Sequence, residues 1–265
     1  MASSEIVRKC VEFIEANIDN NLTVETVADQ LGYSVRYLRR SFQAYARFTL
    51  GYYIHVAKTE RAAQALSQGL CVSEAAELCG FGDYYNLSHS FSGVYGVPPS
   101  SYIGAKDLPR IRIQVPVTVA GYVLRRVEDG EDHSGLTLWH GYDFSIYDEN
   151  DFNVASPEGG AEVGVWTELN GEKSYLFGVC CREDATIPES MVRCTLPPAL
   201  YAMFPIPEAE DTHELSLNFR AALAPALARC GDAKKYEQVP DAPVMEYYHG
   251  KDTFLCIPIR ERKEA

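Results

Sequence analysis

The chain of 265 residues is 46% hydrophobic and 11% aromatic, which supplies a sizeable core, and its length suits two domains rather than one. No apolar run approaches the ~20 residues of a membrane span, no stretch reads as a signal peptide, and eight cysteines without CxxC spacing argue against a zinc site. The net charge of −13 excludes a uniformly basic nucleic-acid binder, but it is unevenly spread: residues 1–104 carry 8 Lys and Arg against 10 Asp and Glu, residues 105–265 carry 16 against 27.

Hydrophobic spacing predicts helices over 5–17, 24–31, 35–45, 50–68, 72–79 and 84–95. Two stretches repeat one pattern, Ala28…Leu31-Gly32-Tyr33-Ser34…Leu38…Ser41-Phe42 and Ala76…Cys79-Gly80-Phe81-Gly82-Asp83…Leu87…Ser90-Phe91. In each, an Ala four residues before a Gly suits a helix that packs closely on its partner and ends where φ becomes positive. A cap, Ser34 or Asp83, opens the next helix, on which Leu38 and Phe42, or Leu87 and Phe91, share an inward face. Each copy reads as a helix-turn-helix, about 20–45 and 70–96, whose second helix keeps a free face for a DNA groove. The helix between them, about 19 residues, spans ~28 Å at ~1.5 Å per residue, near the ~34 Å between successive turns of a groove.

Charge separates the two copies. Residues 34–61 hold Arg36, Arg39, Arg40, Arg47, Lys58 and Arg61 against Glu60 alone, a local charge of +5, whereas residues 69–104 hold no Lys or Arg. Phosphate neutralisation supplies much of DNA affinity, so the first copy is expected to dominate it and the second to adjust register or to have lost contact.

The stretches Gly32-Tyr33-Ser34-Val35-Arg36-Tyr37-Leu38-Arg39-Arg40-Ser41-Phe42 and Gly80-Phe81-Gly82-Asp83…Phe91…Tyr95-Gly96-Val97-Pro98-Pro99-Ser100-Ser101-Tyr102 resemble, in order and separation, the two signature segments of the AraC/XylS family of transcription regulators. The resemblance covers about residues 5–104. It implies that Arg36, Arg39 and Arg40 face bases from the first recognition helix, where an Arg paired with guanine discriminates by roughly 1–3 kcal/mol. Tyr84, Tyr85 and His89 take the matching positions in the second. Ser34, Tyr37, Arg47 and Lys58 complete the expected DNA contacts. The sequence departs from the family pattern at His55 and Lys58, where Arg is expected, at Arg47, often a glycine, and at Ser92-Gly93, where basic residues usually follow the Phe.

Lys106-Asp107-Leu108-Pro109 reads as a linker, so the expected division is 1–106 for DNA binding and 107–265 for a second domain. Beyond it, runs rich in β-branched and aromatic residues predict strands over 111–125, 161–167, 175–181, 191–195, 200–204, 244–248 and 253–259. Helices are predicted over 135–146 and 214–229. Strand, helix, strands occurs twice, which predicts a multidomain chain: an all-α tandem helix-turn-helix domain, then an α+β domain of two β-α-β-β halves forming one curved antiparallel sheet.

Leu138-Trp139, Val163-Gly164-Val165-Trp166, Tyr175-Leu176-Phe177-Gly178-Val179, Leu200-Tyr201-Ala202-Met203-Phe204 after Pro197-Pro198, and Pro243-Val244-Met245-Glu246-Tyr247-Tyr248 resemble the GyrI-like effector-binding domain, over about residues 108–262. Pro205-Ile206-Pro207 departs from that pattern. The resemblance implies a cleft between the halves with an acidic residue at its base, matched here by Glu246. Trp139, Tyr142, Trp166 and Tyr201 are the expected walls, suited to a flat or cationic ligand through their π faces. Glu162 and Glu168 are weaker acidic candidates.

These readings converge on a cytoplasmic, ligand-responsive, sequence-specific DNA-binding regulator without cofactor or metal. Its implied partners are double-stranded DNA, a hydrophobic, aromatic or cationic effector, and RNA polymerase, with no membrane. Two alternatives stand beside it: a small-molecule hydrolase in which Glu246 with Tyr201 or Tyr142 activates water, and a protein-binding scaffold built on the Tyr-rich second motif.

Overall fold

The computed structural model describes residues 3–126, 149–232, 235–239 and 242–262. They form two compact units, one of Met1–Pro116 with Pro198–Tyr201, the other of Val117–Pro197 with Ala202–Ala265.

The first unit carries six helices among its described residues: α1 (Ser3–Ala16), α2 (Val24–Leu31), α3 (Val35–Ala46), α4 (Leu50–Ser67), α5 (Val72–Leu78) and α6 (Tyr84–Tyr95). Local chemistry fixes their ends. Thr23 and Thr26 form a reciprocal capping box on α2, and Ser34, Thr49 and Asp83 accept from the backbone N–H three residues on, at 3.3, 3.2 and 2.8 Å. Helices α2 and α5 stop as the Ala–Gly pattern requires: Tyr33 N–H donates to the Ala28 carbonyl at 3.0 Å and Phe81 N–H to that of Ala76 at 2.9 Å, with both glycines at positive φ. Ala28 and Ala76 are buried, as are Leu38 and Phe42 of α3 and Leu87 and Phe91 of α6. Helix α4 has 18 residues and so spans ~27 Å at ~1.5 Å per residue.

A single 3-10 turn (Pro99–Tyr102) follows, then strand β1 (Arg110–Gln114), which packs on α4. This strand moves the boundary past the expected linker, because side chains tie it to the helices. Tyr102 Oη donates to the Pro109 carbonyl at 2.8 Å, Ile111 N–H donates to Tyr95 Oη at 3.1 Å, and Arg112 pairs with Glu15 at 2.5 Å. The single strand expected over 111–125 is broken at Val115-Pro116, since proline has no N–H for a ladder.

The second unit is built on strands β2 (Val117–Arg126), β3 (Glu162–Leu169), β4 (Glu172–Cys181), β5 (Val192–Leu196), β6 (Ala199–Pro205, whose first three residues cluster with the first unit), β7 (Tyr236–Gln238), β8 (Met245–His249) and β9 (Asp252–Glu261), with helices α7 (Glu149–Ala155) and α8 (Thr212–Asp232). Its strand order is β6-β9-β8-β3-β4-β2-β5, with β7 along β9. Two halves are visible in that order: β2, β4, β3 and β6, β9, β8 each place a first, third and second strand side by side, and β3 meets β8 at the seam. The β3–β8 pairing is antiparallel, with Gly164 opposite Glu246. Helix α7 and strand β7 were not expected, and the helix expected over 135–146 lies outside the described residues.

Candidate functional site

The free face of α3 is built by its cap and its core stripe. Ser34 opens the helix, Leu38 and Phe42 turn inward, and Arg36, Tyr37, Arg39 and Arg40 are left exposed. Arg36 and Arg40, four apart, share one surface row. Arg39 reaches back to Glu25 on α2 at 3.1 Å, an exposed pair that any phosphate or base contact has to displace. The ring of Tyr37, 46% exposed, lies 5.7 Å from that of Tyr33. Exposed Arg47 ends the helix with φ 64, a left-handed conformation more often given to glycine.

Lys58 corrects the expectation from charge alone. The residue is 8% exposed, and its Nζ donates to the Gly80 carbonyl at 2.9 Å and lies 5.1 Å from the Phe81 ring centroid, so it faces the second turn instead of solvent phosphate. Arg61, counted in the same basic run, is held by Asp19 at 2.9 Å. The exposed positive charge of this copy therefore lies on α3 and its C-terminal end.

Helix α6 presents a different surface. Tyr84 and Tyr85 are 47% and 80% exposed, set edge to face with centroids 5.6 Å apart, and His89 is exposed one turn further on. The cap is an exposed carboxylate, Asp83, where the first copy uses a neutral hydroxyl. That negative charge complements the helix N-terminus but repels a phosphate brought to the same place.

In the second unit the residue best placed for chemistry is Glu246. It is fully buried on β8 and accepts from Tyr175 Oη at 3.0 Å and Tyr248 Oη at 2.8 Å. Two hydroxyl donors compensate part of the cost of a buried carboxylate. Gly164 makes the arrangement possible: a Cβ there would overlap the Tyr175 hydroxyl and lie 2.7 Å from Glu246 Oε2. Around it stand Trp166, 5.4 Å from Tyr175, and Phe177 and Phe219, each about 6 Å from Tyr248 by ring centroid. Phe152 of α7 continues the set against Tyr122 and Phe177.

The structure thus brings Trp166 and Glu246 together and adds Tyr175 and Tyr248 as the phenols that bond the carboxylate. Tyr201 is buried on β6, in the segment that clusters with the first unit, and Trp139 and Tyr142 lie outside the described residues. Glu162 is half-buried and Glu168 exposed. Tyr248 was within reach of sequence reasoning, because residues two apart on a strand share a face. Tyr175 was not, since its place depends on the register of β3 between β4 and β8. Among the described residues no group of three or more His, Cys, Asp or Glu could hold a metal, and no helix is long and apolar enough to cross a membrane.

Two capped, glycine-terminated helix pairs joined by a single long helix, with exposed arginines on a recognition helix, define a tandem helix-turn-helix DNA-binding protein. A helix-turn-helix domain family matches residues 27–105. The multiple antibiotic resistance protein MarA of Salmonella typhimurium is 31% identical over 117 residues, 44% of this chain and 92% of that protein. The regulatory protein SoxS of the same organism is 30% identical over 103 residues, 38% of this chain and 96% of its own length. A solved structure with bound tetraphenylphosphonium is 18% identical, with a TM-score of 0.43, covering 57% of this chain and 93% of that one. The chain belongs to the AraC/XylS family of transcription regulators.

Proposed function

We propose that this regulator reads DNA mainly through α3 and that its second unit senses an aromatic or cationic small molecule around Glu246. One contrast carries the first part: exposed Arg36, Arg40 and Arg47 belong to the first helix-turn-helix, while residues 69–104 hold no Lys or Arg. In this reading Arg36, Arg39 and Arg40 contact bases, Ser34, Tyr37 and Arg47 contact backbone or flanking bases, and Tyr84, Tyr85 and His89 adjust register with little phosphate neutralisation. The second part is supported by a carboxylate at zero exposure, held by two phenols amid aromatic rings. A cation seated there adds charge pairing and ring-face attraction. Such a ligand regulates only if it binds one functional state of the chain better than another.

The test is a titration on a duplex selected from random DNA, with and without a panel of aromatic quaternary ammonium compounds. Arg40→Ala is expected to abolish binding and His89→Ala to cost little; equal losses overturn the division of labour. At least one cation is expected to shift the titration of the parent protein and not that of Glu246→Gln. A shift that survives in Glu246→Gln removes Glu246 from the sensing site.

A further inference from the structure

The two turns of the tandem motif are treated differently by the rest of the fold. At Gly32 an added Cβ would meet nothing within 4 Å among the described residues, so among them the first turn is open. At Gly80 the same Cβ would come 3.1 Å from the Asn20 carbonyl oxygen and 3.4 Å from Asn21 Cα, so the second turn rests directly on the loop between α1 and α2. From the other side Lys58 of α4 binds the Gly80 carbonyl and covers the Phe81 ring. One turn further along α4, Arg61 grips Asp19, the neighbour of Asn20, through two contacts, at 2.9 and 3.2 Å. Linker helix, first-copy loop and second-copy turn therefore meet at one node.

The chemistry of that node is directional. Gly80 follows the C-terminus of α5, where helix carbonyls concentrate partial negative charge, and an ammonium placed there is favoured by the dipole as well as by its hydrogen bond. Burial pushes the Lys58 amine below the usual lysine range, so the carbonyl and ring offset only part of the desolvation. This cation belongs to the linker helix and is turned onto the turn of a helix-turn-helix that has no Lys or Arg of its own, so it acts behind the reading surface.

We propose that Lys58 is a positioning residue that fixes the pitch between the two recognition helices, by clamping the second turn against α4 and the Asn20–Asn21 loop. The inference rests on the reading that both copies engage DNA. It assigns the spacing between two half-sites to a buried lysine and not to any residue on the DNA face. Loss of the clamp frees α6 to take several registers, so tolerance of altered spacing rises while recognition of the first half-site stays as it was.

The experiment begins by selecting bound sequences from random DNA with the full chain. It then compares binding to the selected duplex, to a copy with one base pair inserted between the half-sites, and to the first half-site alone. For the parent protein the insertion is expected to weaken binding about tenfold, and for Lys58→Met by no more than about threefold, with the first half-site bound equally by both. Lys58→Arg, which retains a donor, is expected to restore most of the spacing penalty. Gly80→Ala, which presses on the Asn20 backbone from the opposite side, is expected to change the preferred spacing and serves where Lys58→Met does not fold. A spacing penalty unchanged in folded Lys58→Met overturns the role of Lys58 alone, and one unchanged in Gly80→Ala overturns the clamp of the second turn on the Asn20–Asn21 loop and the proposal with it. A parent protein that selects a single half-site overturns the two-reader reading, and this inference with it.

Discussion

At the scale of single residues, Gly164 and Glu246 make one unit although 82 positions separate them in sequence. The glycine is required for space, not for backbone freedom: a methyl there would fall on the Tyr175 hydroxyl and crowd the carboxylate. Gly164→Ala is therefore expected to cost about 1–3 kcal/mol in chemical denaturation, and adding Tyr175→Phe, which deletes the obstructing hydroxyl, should recover part of it. Additive losses in the double variant would count against this packing account. The acidic residue was legible because a Glu between Met245 and Tyr247 in an apolar strand demands an explanation; its partners were not, because cross-strand register is a property of the whole sheet.

At the scale of elements, the helices were more legible than the strands. Caps and glycine stops are written into a few adjacent residues, so α2 and α6 begin and end where Ser, Thr, Asp and Gly signals place them. Strand ends depend on neighbours, which is why β1 and β2 read as one run and why the short β7 has no signal of its own beyond its pairing with β9. Lys58 misled for the same reason, since composition cannot say which side of α4 a cation faces. The caps also distinguish the two readers physically. Replacing Asp83 by Asn keeps an N-cap acceptor for α6 while removing a charge that opposes phosphate. Asp83→Asn is expected to raise DNA affinity a few-fold at low salt, with the gain shrinking as salt rises and thermal stability little changed. An unchanged binding curve would mean that α6 stands away from the backbone.

At the scale of the molecule, charge is partitioned along the chain: residues 105–265 carry −11, while within the first unit the exposed arginines lie on α3 and at its C-terminal end. With so few exposed cations on and beside α3, Arg36, Arg40 and Arg47 besides the paired Arg39, the salt dependence is expected to be shallow, a slope of log K against log salt no steeper than about −3 at ~0.9 per phosphate neutralised. A slope near −8 in fluorescence titrations would mean that basic residues outside the two helix-turn-helix motifs reach phosphate, and would overturn the reading that α3 dominates affinity. The seam between β3 and β8 has a mechanical meaning as well. Tyr175 and Gly164 come from one half of the sheet, Glu246 and Tyr248 from the other, so splaying the halves apart would strip the carboxylate of a donor in apolar surroundings. The bond between Tyr175 and Glu246 acts as a latch, a buried side-chain tie that reinforces the β3–β8 backbone ladder at the midline of the sheet.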